Sequence, residues 1–121
     1  MKVSYIELLG EKHPLCFSLA AASEVTEAFG GLENMSKSLS LDDIGKAAKA
    51  IDAVLTILMR AGRIYVKASG GELPPELPCR PSDLIDVTDG SAIRAIFETI
   101  RTDSDREVEA ETKNGEATQG K

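Results

Sequence analysis

At 121 residues with 42% hydrophobic side chains, the chain is long enough for one domain with its own core. Aromatics make up only 4% and Trp is absent, so that core is built from Leu, Ile, Val, Ala and Met, which suits helix-on-helix packing better than a β-sandwich. The 14 basic and 20 acidic residues leave a net charge of −6, which argues against non-specific nucleic-acid binding and against docking on an anionic membrane.

In chain order, Val3-Ser4-Tyr5-Ile6-Glu7-Leu8 is rich in β-formers, Gly10-Glu11-Lys12 reads as a turn and Pro14-Leu15-Cys16-Phe17 is a second short apolar run. Together they predict a β-hairpin, which must lean on helices because an isolated hairpin is marginal in water. Ser18 is a suitable N-cap for a helix from Leu19 to Phe29, with Leu19, Ala22, Val25 (or Thr26) and Phe29 on one face and Gly30-Gly31 as its stop. Leu32 to Leu39 predicts a short helix striped by Leu32, Met35 and Leu39.

Ser40 is placed to cap the longest helix, with Asp42 and Asp43 in its first turn, running to about Lys67. Ile44, Ala48, Ile51, Leu55, Leu58 and Gly62 share one side, and Ala47, Ala50, Val54, Ile57 and Ala61 widen the apolar surface. A helix this apolar beyond Ala50 is expected to be the central one, packed on several sides. Gly45 and Gly62 are expected at close helix approaches, since each costs about 1 kcal/mol against Ala within a helix. Gly70-Gly71 ends it, and the Pro-rich stretch Leu73 to Pro81 reads as a stiff connection. Ser82 is positioned to cap a short helical piece, Asp83 to Val87. Thr88 or Asp89 opens a last helix to about Arg101, striped by Ile93, Ile96, Phe97 and Ile100.

From Thr102 to Lys121 the only large apolar residue is Val108, which predicts a disordered acidic tail or linker. The expected fold is therefore mainly α (α+β): an N-terminal β-hairpin packed on a small helical bundle with one long central helix. Residues 1–101 form the domain and residues 102–121 the tail.

The residues that carry chemistry are sparse. His13, the only histidine, precedes Pro14 and reads as a solvated turn residue. A Cys16–His13 nucleophile and base pair is disfavoured, because the two positions point to opposite faces of a strand. Cys16 and Cys79 are far apart and have no neighbours at metal-ligand spacing, so they read as reduced thiols and no zinc site is expected. Residues 1–7 lack an apolar signal region, and the longest apolar stretch, Ala53 to Met59, falls far short of the ~20 residues a membrane helix needs. The expectation is a cytoplasmic protein.

Asp42 and Asp43 read as capping residues, and Glu24 and Glu27 as a solvated face. Gly30-Gly31 and Gly70-Gly71 match no phosphate-binding motif. Arg60, Arg63 and Lys67 suit the negative end of the long helix. No cofactor and no enzymatic activity are expected. What remains is a surface-presenting protein, with helix-in-groove recognition as its mode. Leu32, Met35, Leu39, Leu41, Ile64 and Tyr65, near the two ends of the long helix, are the candidate partner-binding residues, each also readable as plain core.

Tyr5-Ile6-Glu7-Leu8, then Pro14-Leu15-Cys16-Phe17-Ser18-Leu19-Ala20-Ala21-Ala22, then Glu24-Val25-Thr26-Glu27-Ala28-Phe29-Gly30-Gly31-Leu32-Glu33-Asn34-Met35, and finally an apolar helix ending Ala61-Gly62-Arg63-Ile64-Tyr65 form a recognisable order. Over roughly residues 3–101 the chain resembles the tail assembly chaperones encoded beside the tape-measure gene in siphophages and prophages of Gram-positive bacteria. The resemblance rests on residue types and spacing. It implies a protein of the host bacterial cytoplasm that binds the tape-measure protein, keeps it soluble, promotes tail-tube polymerisation around it and is absent from the mature virion. It also implies a longer form made by a −1 ribosomal frameshift, through which tail-tube protein is recruited. Gln119-Gly120-Lys121 is compatible with a slippery run when encoded CAG-GGA-AAA. No nucleic acid or membrane partner is implied, and homo-oligomers are compatible with it. The second reading is a structural or adaptor subunit retained in a phage particle, without a chaperone role.

Overall fold

A computed structural model describes residues 1–100. Arg101, the tail at 102–121 and the positions 119–121 discussed for frameshifting lie outside the described residues.

The chain opens with strands β1 (Ser4–Leu8) and β2 (Glu11–Leu15), paired antiparallel as a hairpin. The expected turn at Gly10-Glu11-Lys12 sits earlier. Leu9 and Gly10 alone make the connection, with φ of 55° and 75°, the left-handed pair that a two-residue hairpin turn requires. This register matters, because it brings His13 directly opposite Ile6. Ile6, Leu8, His13 and Leu15 are all buried. His13 is therefore a core-facing strand residue and not a solvated turn residue.

Helix α1 (Leu19–Phe29) begins where expected, with the Ser18 hydroxyl accepting from the Ala21 amide at 3.1 Å. Left-handed Gly30 (φ 79°) ends it. Its buried face is Ala21 and Val25, so Leu19, expected on the apolar stripe, instead lies in solvent at 89% exposure. Helix α2 (Leu32–Ser38) follows and buries Met35, with Leu39 just beyond its end also buried.

Helix α3 (Ile44–Ala68) spans 25 residues and is central, as expected. Its N-cap is Asp43, whose carboxylate accepts from the Lys46 amide at 3.1 Å. Ser40, the expected cap, instead accepts from the Asp42 amide and organises the turn before the helix. Both residues are competent caps, and the chain path out of α2 decides between them. Ala47, Ala50, Ile51, Val54, Leu55, Leu58 and Gly62 form its buried side. A Schellman motif closes the helix: the Gly71 amide donates to the Val66 carbonyl at 2.9 Å and the Gly70 amide to Lys67 at 3.1 Å, with Gly70 at φ 84°.

The two glycines of α3 differ. A Cβ on Gly62 would stand 2.1 Å from the Pro14 carbonyl oxygen, so this position admits the backbone of β2 against the helix. The close approach expected there is to a strand and not to a helix. Next to it, the Cys16 amide donates to the Leu58 carbonyl at 3.2 Å. Gly45 meets no close neighbour, since its nearest contact would be Asp43 Oδ1 at 3.8 Å, and the expected close approach is absent there.

The Pro-rich connection is strapped along α3. Arg63 donates to the Pro74 carbonyl at 2.8 Å. Asp52 accepts from both the backbone amide (2.8 Å) and the hydroxyl (2.7 Å) of Ser82. Ser82 therefore belongs to a 3-10 turn (Pro81–Leu84) docked on Asp52, and does not cap a helix over 83–87. Residues 91–100 are helical (α4), with the Asp89 carboxylate accepting from the Ser91 amide at 2.9 Å. The buried positions of α4 are Ala92, Ala95, Ile96, Thr99 and Ile100, while Ile93 and Phe97 are half-buried. Thr99 is accommodated by donating its hydroxyl to the Ala95 carbonyl at 2.7 Å. One core joins the hairpin, α1, α2, α3 and α4. Among the described residues, no helix is long and apolar enough to cross a membrane.

Candidate functional site

The six candidate partner residues separate into two groups. Met35 (1% exposed) and Leu39 (3%) are core, and Leu32 is half-buried and packed against it. Burial withdraws Met35 and Leu39 from any partner surface. Leu41 (45%) and Ile64 (64%) are exposed and Tyr65 is half-buried. The structure does not bring these three together, because Leu41 lies on one groove while Ile64 and Tyr65 line another.

The first groove, about 190 Å³, lies between the start of α3, the 85–89 segment and the first turn of α4. Its floor is Ala47, Ala48, Ile51 and Ala92, and its exposed apolar side chains are Leu41, Ile44 (57%) and Val87 (56%). Large apolar side chains at such exposure, side by side in a concavity, are what a partner surface requires. The charged residues lining it are Asp86 and Asp89, and among the described residues no basic side chain does. Asp42 and Asp43, both exposed, lie in sequence between Leu41 and Ile44. The Thr88 backbone amide (2.8 Å) and then its hydroxyl (2.7 Å) donate to Asp86, and together they hold its carboxyl below the usual carboxylate range. This rim residue is ionised throughout the neutral range.

The sequence placed Ile44 in the core stripe and gave Val87 no role. The signal for Ile44 was present: an isoleucine at the first position of a helix, directly after its cap, projects past the neighbours that cover later turns. Val87 carried no such signal, since its exposure depends on how the 3-10 turn docks on Asp52.

The second groove, about 240 Å³, is lined by small side chains (Ser18, Ala20, Ala21, Ala61), by Ile57, Ile64 and Tyr65, and by one carboxylate and one guanidinium, Glu24 and Arg60. Those two form an ion pair between α1 and α3. Glu24 is thus more than part of a solvated face, and Arg60 has a specific partner in place of a general role at the helix end.

A third cavity, about 380 Å³, lies beneath the Pro-rich connection, with His13, Arg63, Glu76 and Cys79 on its walls. The sequence considered His13 with Cys16, but the topology places it with Cys79. Cys16 is buried, Cys79 is exposed, and neither forms a disulfide. His13 is 2% exposed, and its Nε2 has no hydrogen-bond partner among the described residues. No group of three or more His, Cys, Asp or Glu among the described residues is clustered to hold a metal. On the far edge of the 3-10 turn, Asp83 accepts from the Arg80 side chain and backbone amide, which hold its carboxyl below the usual range.

No protein-family model, curated protein or solved structure matches this chain.

Proposed function

We propose that the chain is a tail assembly chaperone of a siphophage or prophage, binding the tape-measure protein in the host cytoplasm and promoting tail-tube assembly around it. The observation that carries this reading is the acid-rimmed apolar groove at Leu41, Ile44 and Val87. A long assembly scaffold exposes amphipathic helices that self-associate unless covered. A concave apolar strip covers one such face, and a carboxylate rim selects helices flanked by Lys or Arg. The net charge of −6 keeps the loaded complex soluble. The resemblance over residues 3–101 supports the same reading.

The test is co-expression with the tape-measure protein encoded in the same genome. The expected result is a soluble complex that is lost when Ile44→Glu and Val87→Glu are combined, with the chain missing from purified virions. An insoluble tape-measure protein in the presence of the wild-type chain would overturn the proposal. Stoichiometric retention in mature tails would replace it with the structural-subunit reading.

A further inference from the structure

The hairpin has two edges, and only one of them is closed. Pro14 has no N–H, so its cross-strand pair with Tyr5 is one of the antiparallel pairs that exchange no hydrogen bonds. Such pairs alternate with bonded ones, which puts Glu7 and Lys12 in the same class and leaves Ser4, Ile6 and Leu8 to bond to β2. The two-residue turn at Leu9-Gly10 has the same phase, since a β-turn closes on a bond between its flanking residues, here Leu8 and Glu11. The N–H and C=O groups of Tyr5 and Glu7 therefore point away from β2, off the outer edge of β1. Among the described residues, no hydrogen bond outside the hairpin reaches either backbone, and no second strand lies beside β1. The outer edge of β2 instead lacks a donor at Pro14 and lies against α3, with the Cys16 amide bonded to the Leu58 carbonyl.

Along the open edge runs a cleft of about 370 Å³ between β1 and α4, lined by Tyr5, Ile6, Glu7, Asp89, Ser91 and Ala95. Its charged side chains are the carboxylates Glu7 and Asp89, and among the described residues no basic side chain lines it. Glu7 is available to a ligand: Lys12 stands across the ladder from it, but among the described residues the two form no ion pair. From this free edge and its charge we infer that the cleft docks an extended, lysine- or arginine-bearing segment of a partner chain, which adds to β1 as a third strand. The main-chain groups of Tyr5 and Glu7 bind its backbone, and the two carboxylates attract its cations. A second copy of this acidic chain is a poorer occupant, because it carries a net charge of −6 to an acidic cleft. Asp89 also lines the acid-rimmed groove, so the two sites adjoin. Strand addition at β1 nevertheless requires no helix in that groove.

The experiment titrates the full chain with a capped peptide of alternating lysine and valine, followed by NMR and amide hydrogen exchange. The Tyr5 and Glu7 amides are expected to exchange rapidly in the free chain and to become protected at least about tenfold at saturation. The same peptide N-methylated at alternate residues, or with glutamate in place of lysine, should bind at least about tenfold more weakly. Tyr5→Pro removes an outward N–H that the hairpin does not use, and an edge strand tolerates proline there. It should weaken binding by about tenfold, whereas Tyr5→Ala, which keeps the N–H, and Ile44→Glu should bind like wild type. If Tyr5→Pro fails to fold, the wild-type protection pattern and the N-methylated peptide still decide. No binding up to millimolar peptide overturns the inference, as does equal binding of the N-methylated or glutamate peptide. Chemical-shift changes confined to Leu41, Ile44 and Val87 would overturn it in favour of the acid-rimmed groove. Protection of Tyr5 and Glu7 that rises with chain concentration alone would overturn it in favour of a second copy.

Discussion

The middle of α3 and its first turn follow opposite plans. From Val54 to Gly62 one side of the helix is fully covered: β2 lies against it at backbone distance, and Val54, Leu55 and Leu58 are completely buried. At the first turn, Ile44 stands 57% exposed and Gly45 has open space around it. Ile44 shares the apolar stripe of Leu55 and Leu58 in sequence, so hydrophobicity alone does not separate buried residues from exposed ones. What separates them is whether another element ends short of the helix or crosses it. Stability should therefore be concentrated in the middle of α3, and binding at its start.

The sharpest break in that contrast is at the centre. Leu58→Ala removes a fully buried side chain and is expected to cost about 2–5 kcal/mol in urea unfolding. Gly62→Ala forces a methyl into the Pro14 backbone and should cost about 3 kcal/mol or prevent folding. A Gly62→Ala variant as stable as wild type would show that β2 does not sit against α3 as described. Next in size is Asp52→Ala, which strands the two donors of Ser82 and should cost about 1–3 kcal/mol by the same measurement. Because the 3-10 turn forms one wall of the acid-rimmed groove, this variant should also weaken partner binding although Asp52 does not line the groove.

At the open end the signs change. Gly45→Ala meets no neighbour closer than 3.8 Å and should stabilise by up to about 1 kcal/mol. Ile44→Glu should alter stability by no more than about 0.5 kcal/mol while abolishing capture of a basic amphipathic helix. The smallest effect is local. Thr88→Val removes the hydroxyl donor to Asp86, and the Asp86 carboxyl should titrate closer to the ordinary range in carbon-detected NMR. Asp86 titrates lower folded than unfolded, so its contribution to stability is present above the ordinary carboxylate range. It is lost as pH falls through the folded value, and the variant should show a slightly shallower acid limb.

The elements were largely legible in the sequence, because they rest on local signals: Ser18 as a cap, Gly30 and Gly70 as stops, and a period of 3.6 through α3. The hairpin register was less accessible. It depends on Leu9 adopting positive φ, which leucine does not advertise, and that single step carries His13 from the turn into the core. The choice between Ser40 and Asp43 as cap was invisible for a related reason, since the sequence offers both and only the approach from α2 decides. The candidate site was half legible. Periodicity identifies which face of a helix is apolar and says nothing about where its neighbours stop, so Met35 and Leu41 looked alike, although one is core and the other surface. Pairs such as Glu24 with Arg60, 36 residues apart, leave no pattern in a single sequence.

The notch at Gly62 and the bond from the Cys16 amide to the Leu58 carbonyl lie one helical turn apart on the same side of α3. Together they index the hairpin along the helix axis. Sliding it by one turn, about 5.4 Å, would lose the hydrogen bond and drive β2 into a side chain. The hairpin therefore has one low-energy position along the helix. In hydrogen exchange, the Cys16 amide and the amides of α3 around Leu58 should open as one cooperative unit at the global unfolding free energy. The first turn of α3, at the edge of the acid-rimmed groove, should open on its own far more often.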